Sequence, residues 1–262
     1  MQIKIKAGNY QDRFLFSESK FPALIGSVGT GKTLCLLTKV YKYCEDYPGT
    51  SALIVRKEFT DLKDSTMKDF ESYFECKVGV DKNFKMANGS VIMFRHAAEI
   101  QVLKNINLGI AAIEQAEEFE DDLQFQFLRD RLRQNNGAKV RPLVIIANAN
   151  GHNWVWKLWV NQADNVEEIE SRTGQYSYTK GEYHGITANT FANEDNLVPD
   201  FIADLKRKEF ESPKHYQQYV LNSFEEMNED DFVFNFAELM AAKDKQFALR
   251  DHYGHRIMGF DI

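Results

Sequence analysis

Apolar residues along the chain fall into two alternating rhythms. Short unbroken runs, Phe21-Pro22-Ala23-Leu24-Ile25, Ser51 to Val55, Leu108 to Ile113 and Val140 to Ala147, have the length of buried strands, and Tyr183 to Ala188 predicts another. Between them the spacing turns helical. Leu34, Leu37, Val40, Tyr41 and Cys44 recur at i, i+3, i+4 over Thr33 to Glu45, a helix stopped by Pro48-Gly49. Thr60 to Phe74 predicts a second helix with Leu62, Phe70 and Phe74 inward, Asp121 to Gln134 a third, and Trp154 to Val160 a short one. Asn88-Gly89 between FKMA and SVIMF predicts a tight hairpin. Strands alternating with helices at this spacing predict an α/β fold, a mainly parallel central sheet with helices on both faces. After about Asn189 the pattern changes. Phe201 to Phe210 and Pro213 to Phe224 predict two helices, followed by an acidic turn, EEMNEDD, and then FVFNF: a small appended subdomain rather than more sheet.

The candidate chemistry sits where the first run meets the first helix. Gly26, Ser27, Val28, Gly29, Thr30, Gly31, Lys32 and Thr33 match G-x-x-x-x-G-K-[ST] in full, between an apolar run and an amphipathic helix. Glycines let backbone N–H groups curl around the β- and γ-phosphates, and the helix N-terminus adds a favourable dipole. Lys32 would neutralise phosphate charge and the Thr33 hydroxyl would bind Mg²⁺. The plainer alternative is a Gly-rich strand–helix turn with no nucleotide.

A magnesium partner belongs at the end of another strand, as an acid after apolar residues. Glu114, after Gly109-Ile110-Ala111-Ala112-Ile113, is the good candidate, acting through water where an aspartate is commoner. The next position, where ATPases of the additional-strand class keep the glutamate that polarises water, holds Gln115. A glutamine orients water but cannot accept its proton. Three explanations stay open: Glu117 or Glu118 does the work, Gln115 suffices for positioning, or the position was changed to trap a nucleotide-bound state. Glu120, Asp121 and Asp122 read better as an acidic first helical turn favoured by the dipole. Asn148, ending the strand in VIIANANGHNW, reads either as a γ-phosphate sensor that relays hydrolysis or as an Asx-turn.

Composition narrows the class. The 262 residues are 44% hydrophobic and 27% charged, enough for one large α/β domain with a buried core. Five prolines and fifteen glycines exclude a Pro/Gly-rich disordered chain. No run of about 18 apolar residues predicts a membrane span, and the N-terminal MQIKIKAGNYQDRF has no secretory h-region. A net charge of −7 excludes coating nucleic acid through bulk positive charge, so a polyanion would need a local patch. Lys206-Arg207-Lys208 is the compact basic run, either a phosphate contact or a solvated helix face. Cys35, Cys44 and Cys76 form no CxxC pair and read as small hydrophobes in a reducing compartment. His252 and His255 lack the accompanying ligands of a zinc site.

Taken in order, these residues resemble the ATPase (motor) domain of the large terminase subunit of tailed bacteriophages. Tyr10-Gln11 resembles an adenine-reading glutamine segment, and the phosphate loop follows. Ala52 to Lys57 resembles the strand after the first helix, ending in an arginine. NGSVIMFR precedes IEQAEEF, which is similar to the family's Walker B segment. Arg129-Asp130-Arg131-Leu132-Arg133 and the strand ending ANAN resemble the lead into the coupling motif. Thr190 to Pro199 resembles the opening of the lid.

The resemblance implies a RecA-like P-loop NTPase of the additional-strand class that binds ATP and Mg²⁺ and translocates double-stranded viral DNA into a procapsid in the host cytoplasm. It implies an ATPase core over 1–189 and a helical lid or linker over 190–255. Residues 256–262 would begin an RNase H-like nuclease, with Asp261 at its first metal ligand and no cutting activity from that fragment alone. Implied partners are the portal protein, the small terminase subunit and neighbouring copies in a ring; a membrane is not among them. Two departures stand out: Glu114-Gln115 replaces the usual Asp-Glu, which raises the expectation of impaired turnover, and the glycine loop lacks the arginine some relatives carry. Arg129, Arg131, Arg133 and Arg141 are arginine-finger candidates, each also readable as a solvated helix face or local salt bridge.

Two rivals remain at this level. A P-loop nucleotide or metabolite kinase would use Arg129 to Arg133 as a lid over phosphates, but the long lead before the loop and the acidic segment after Glu114 fit an ATPase better. A nucleotide-binding regulatory module with little turnover is the other, given Gln115. A GTPase is disfavoured because no NKxD segment appears.

Overall fold

The structure is a computed structural model and describes residues 5–100, 103 and 105–225. Residues 226–262, which contain FVFNF, His252, His255 and Asp261, lie outside the described residues, as does any boundary at 255.

The strand-length apolar runs assemble into one sheet. Its strands are β1 (Phe21–Gly26), β2 (Ser51–Arg56), β3 (Asn83–Lys85), β4 (Val91–His96), β5 (Ile110–Ile113), β6 (Leu143–Ala147), β7 (Asn165–Glu170), β8 (Gln175–Lys180) and β9 (Tyr183–Ala188). Their order is β3-β4-β2-β5-β6-β1-β9-β8-β7. From β4 to β9 every neighbouring pair is parallel, while β3 and the β7–β8 pair run antiparallel at the two edges.

Central strands are apolar throughout because both faces are covered. Leu24, Ala52, Ile54, Ala112, Val144 and Ile146 face a layer made by α1 (Tyr10–Leu15), α2 (Lys32–Asp46) and Phe70. Ala23, Ile25, Leu53, Val55, Ile113 and Ile145 face the other layer, where Phe125, Leu128, Val155 and Trp159 are buried. Trp159 meets Phe125 edge-on at 5.3 Å and donates its indole N–H to the Phe21 carbonyl at 2.8 Å. Such an aromatic pair adds about 1 kcal/mol beyond its burial.

The second predicted helix forms, but not as one α-helix. It runs through Phe59–Asp61, a π-helical Leu62–Met67 and Lys68–Phe74, together α3. After the short α4 (Ala97–Ile100), helix α5 (Leu123–Arg129) stops five residues before the predicted Gln134. Tertiary pairing ends it: Leu108 N–H donates to the Arg131 carbonyl and Gln134 N–H to the Leu108 carbonyl, at 2.8 and 3.1 Å. The predicted strand from Val140 begins only at Leu143, after Pro142, which has no N–H to donate. Next comes α6 (Trp154–Trp156 continued by π-helical Lys157–Asn161). The β7–β8 hairpin has no counterpart in the apolar pattern, because NVEEIE and QYSYTK are largely polar.

The last two helices are α7 (Pro199–Glu211) and α8 (Pro213–Tyr219), the second shorter than the predicted run to Phe224. They enclose their own cluster of Leu205, Tyr216 and Val220, with Phe191 and Phe201 beside it. Among the described residues no helix is long and apolar enough to cross a membrane.

Candidate nucleotide site

Parallel strands present their carboxyl ends along one edge of the sheet, where α/β proteins bind ligands. At that edge the neighbouring strands β2, β5, β6 and β1 end in or are followed by Arg56, Glu114, Asn148 and Gly26.

The loop between β1 and α2 has the conformation its glycines predict. Gly29 and Gly31 have φ of +80° and +75°, where a side chain is strained. Gly26 is required for another reason: a Cβ there would lie 2.8 Å from Thr30 Oγ1 and 3.3 Å from the Ala188 carbonyl. The Lys32 ammonium donates to the carbonyls of Gly26 and Ser27 at 2.6 and 2.8 Å. Burial pushes the Lys32 amine down to about 8, against the opposing pull of Glu117 and Glu114. Ser27 Oγ is buried without a partner, and Val28 is exposed.

Helix α1 braces this loop. Tyr10, fully buried, donates its hydroxyl to the Thr30 carbonyl at 2.8 Å, and Gln11 Nε2 donates to the same oxygen at 3.1 Å. Burial raises the Tyr10 phenol well above its ordinary value, so it stays a donor. Lys39 caps the other end of α1 by donating to the carbonyls of Phe14, Leu15 and Ser17.

Glu114, the residue after β5, is 1% exposed. Thr33 Oγ1 donates to Glu114 Oε1 at 2.8 Å, joining the phosphate loop to the strand-end acid. Thr66, on the π-helical turn of α3, donates to the other oxygen, Oε2. Helical spacing puts Thr66 on the inward face between Leu62 and Phe70, but which group its hydroxyl meets was not legible in the sequence. A hydroxyl and a carboxylate are the hard oxygen donors Mg²⁺ takes together with phosphate oxygens and water, so the pair fits that ion. Among the described residues no group of three or more His, Cys, Asp or Glu could hold a metal by itself.

The residues after Glu114 separate to two sides. Gln115 adopts left-handed backbone, φ 49° and ψ 57°. With its amide turned to satisfy both neighbours, Nε2 donates to Glu118 Oε1 at 2.8 Å and Oε1 accepts from Arg56 at 2.7 Å. Glu118 and Asp61 lie 3.6 and 3.9 Å from Arg56. Glu117 goes the other way. Its Oε1 accepts from the Asn148 amide, its Oε2 is shielded from solvent without a partner, and it shares a field with Lys32. Burial raises the Glu117 carboxyl above the usual range, opposed by the Asn148 hydrogen bond and by Lys32. Of the cluster beyond, Asp121 accepts from Leu123 N–H at 3.0 Å and Asp122 from Gln126 at 2.9 Å, local duties at a helix start.

The arginine candidates lie at the opposite end of the strands. Arg129 stacks on Phe21, the first residue of β1, at 5.3 Å. Arg131 covers Phe127 at 4.5 Å, Arg133 donates to Asn107 at 2.6 Å, and Arg141 donates to the Gln134 carbonyl. In the basic run, Lys206 pairs with Glu194 at 3.2 Å and Arg207 with Asp204.

The segment after β9 reaches the phosphate loop from the far side. Thr190 Oγ1 donates to the Val28 carbonyl at 2.7 Å, Asn193 to the Gly29 carbonyl at 2.7 Å and Asn222 to the Ile25 carbonyl at 3.0 Å. Val28 N–H donates to the Tyr219 carbonyl at 3.1 Å. Single polar residues in loops gave no warning of these contacts.

A glycine loop closed on a strand-end acid at the carboxyl edge of a parallel sheet defines a RecA-like P-loop NTPase. The profile of the phage terminase large subunit family matches residues 18–221, and the chain belongs to that family. Its fold is that of a large terminase ATPase domain. Among solved structures it is similar to the large terminase ATPase domain of Thermus phage P74-26, with TM-score 0.59 at 13% identity over 84% of this chain and 94% of that one. The large terminase of another thermophilic bacteriophage, in complex with ADP, gives TM-score 0.63 at 12% identity over 82% of this chain and 53% of that one. The bacteriophage Phi-29 genome packaging motor assembly gives 0.51 at 12% over 79% and 65%. The chain therefore spans about half the length of the ADP-bound terminase. No curated protein matches the chain by sequence.

Proposed function

We propose that this chain hydrolyses ATP to ADP and phosphate with Glu117 as the carboxylate that polarises the attacking water. The observation that carries the nucleotide site is the 2.8 Å hydrogen bond from Thr33 to Glu114, which ties the phosphate loop to the strand-end acid. Backbone N–H groups of Gly29 to Thr33 and the Lys32 ammonium would bind the β- and γ-phosphates, and Gln11 and Tyr10 would keep the loop in register. Thr33 and, through water, Glu114 would hold Mg²⁺, which when bound offsets charge developing on the phosphates. Glu117 has one oxygen on Asn148 and one without a partner, so it can take a water proton while Asn148 fixes its orientation. Asn148 then sits where loss of the γ-phosphate would change its hydrogen bonding, which suits a coupling role. Gln115 is engaged with Arg56 and Glu118, so its replacement of a glutamate need not impair turnover.

In this reading the turnover drives double-stranded viral DNA through a portal into a procapsid, in the host cytoplasm, with neighbouring copies and a small subunit as partners. Family membership and the likeness to a packaging motor assembly support that assignment. A metabolite kinase draws no support from the family. The test is ATP turnover with and without double-stranded DNA, on this chain and on Lys32→Ala. Turnover that DNA stimulates and Lys32→Ala abolishes is the expected result. Equal phosphate release by both proteins would refute the site.

A further inference from the structure

Glu114 stands where an aspartate is commoner, and the exchange has a mechanical cost. Glutamate has one more rotatable bond, so its carboxylate must be restrained before it can offer an oxygen in a defined direction. At 1% exposure water does not supply that restraint, and a buried carboxylate needs hydrogen bonds on both oxygens. Two threonines provide them. Thr33 donates to Oε1 at 2.8 Å, and Thr66 donates to Oε2.

Thr66 has no access to solvent and lies in the π-helical Leu62–Met67. Thr66 lies four residues after Leu62 and four before Phe70, so the helix face that buries those two side chains also carries its hydroxyl inward. A threonine in a regular helix commonly turns its hydroxyl back on the carbonyl one turn earlier. This one crosses to the neighbouring strand end instead.

We propose that Thr66 is a positioning residue for the magnesium–nucleotide complex, fixing Glu114 so that the oxygen shared with Thr33 faces the metal. This rests on the reading of the phosphate loop as a MgATP site. Thr66 acts through Glu114 and touches no substrate. The two hydroxyls leave each carboxylate oxygen one free lone pair, as a water-mediated metal contact requires.

The test compares Thr66→Val, which keeps the shape and removes the donor, with Thr66→Ser, which keeps the donor. The readout is the Mg²⁺ concentration that half-saturates binding of a fluorescent ATP analogue. Thr66→Val raises that midpoint about tenfold, the scale of one hydrogen bond to a charged group. Thr66→Ser stays within about twofold, and Mg²⁺-free nucleotide binding is the same in all three proteins. In a Glu114→Asp background the shortened carboxylate no longer reaches Thr66, and Thr66→Val adds nothing further. A purely structural threonine would give lower melting temperatures with an unchanged Mg²⁺ midpoint, and that result overturns the proposal. Should Thr66→Val not yield folded protein, Thr66→Ala makes the same comparison. If the unaltered chain itself binds nucleotide without any Mg²⁺ dependence, the site reading fails first and the inference with it.

Discussion

At Glu117 one oxygen is engaged by Asn148 and the other is left without a partner, while two residues earlier the Gln115 amide is committed to Arg56 and Glu118. The left-handed turn at Gln115 produces this division, sending successive side chains to opposite sides of the strand end. Removing the proposed base while keeping its shape is then decisive: Glu117→Gln lowers kcat at least about a hundredfold and leaves ATP affinity within about threefold. Gln115→Glu, in contrast, changes turnover by less than about threefold. A large gain from Gln115→Glu, measured as steady-state phosphate release, would return the catalytic role to position 115.

Lys32 supplies a pH dependence whose sign can be worked out. Its amine is lowered to about 8 in the free chain, mainly by burial. Bound phosphates favour the charged form, so the bound-state pKa is higher and binding takes up a proton. Nucleotide affinity is therefore full below about pH 8 and falls as pH rises through that value. Calorimetry in two buffers of different ionisation heat, near that pH, detects the proton directly. Lys32→Arg, charged throughout, abolishes the uptake even where it weakens binding.

Among the elements, the β7–β8 hairpin has the least obvious role. It supports helix α1 from behind: Gln175, 4% exposed, accepts from the Tyr10 N–H at 3.2 Å and donates to Thr173 at 2.8 Å and Glu170 at 3.0 Å. Tyr10 and Gln11 in turn brace Thr30 of the phosphate loop. Gln175→Ala leaves a buried N–H unpaired and costs about 1–3 kcal/mol. A domain of this size then melts a few degrees lower, and ATP affinity falls with it. Glu167, on the same hairpin, meets Arg13 of α1 at 2.7 Å and is more than half exposed. Glu167→Ala should change the melting temperature by less than about 1 °C, because an exposed pair contributes little. Equal effects from both replacements, in thermal melts and nucleotide titrations, would argue that the hairpin acts only through its surface.

On the scale of the whole chain, the two ends of the sheet have different tasks. The residues of the proposed nucleotide site collect at the carboxyl ends of the strands, and Arg129, Arg133 and Arg141 collect at the amino ends. A six-residue strand is about 17 Å long, so Arg129 cannot reach the phosphates bound by its own loop. Arg129→Ala therefore costs about 1 kcal/mol through the lost contact with Phe21 and leaves turnover of the dilute chain unchanged. Any loss of turnover appears only at concentrations where copies associate, which a titration of rate against protein concentration separates. Lys206 and Arg207 are already paired to acids on a chain of net charge −7, so DNA contact by those two side chains has to displace existing ion pairs.

By itself the amino-acid sequence determined the parallel core of the sheet, the glycine loop after its first strand and the strand-end acid that Thr33 meets. Buried strands need unbroken apolar runs, and a phosphate cradle needs glycines at fixed intervals before a lysine. Those are local requirements, and local pattern records them. Only the tertiary structure decided which carboxylate after Glu114 faces Lys32, that Thr66 completes the Glu114 carboxylate, and that Gln175 and Asn222 reach the loop and its brace across long stretches of chain. A side chain's direction after a left-handed residue depends on one backbone rotation that residue types do not encode, and helical spacing places Thr66 on the inward face without naming what its hydroxyl meets. The polar β7–β8 hairpin escaped for a related reason: its outer strand faces solvent, so no apolar rhythm was needed to form it.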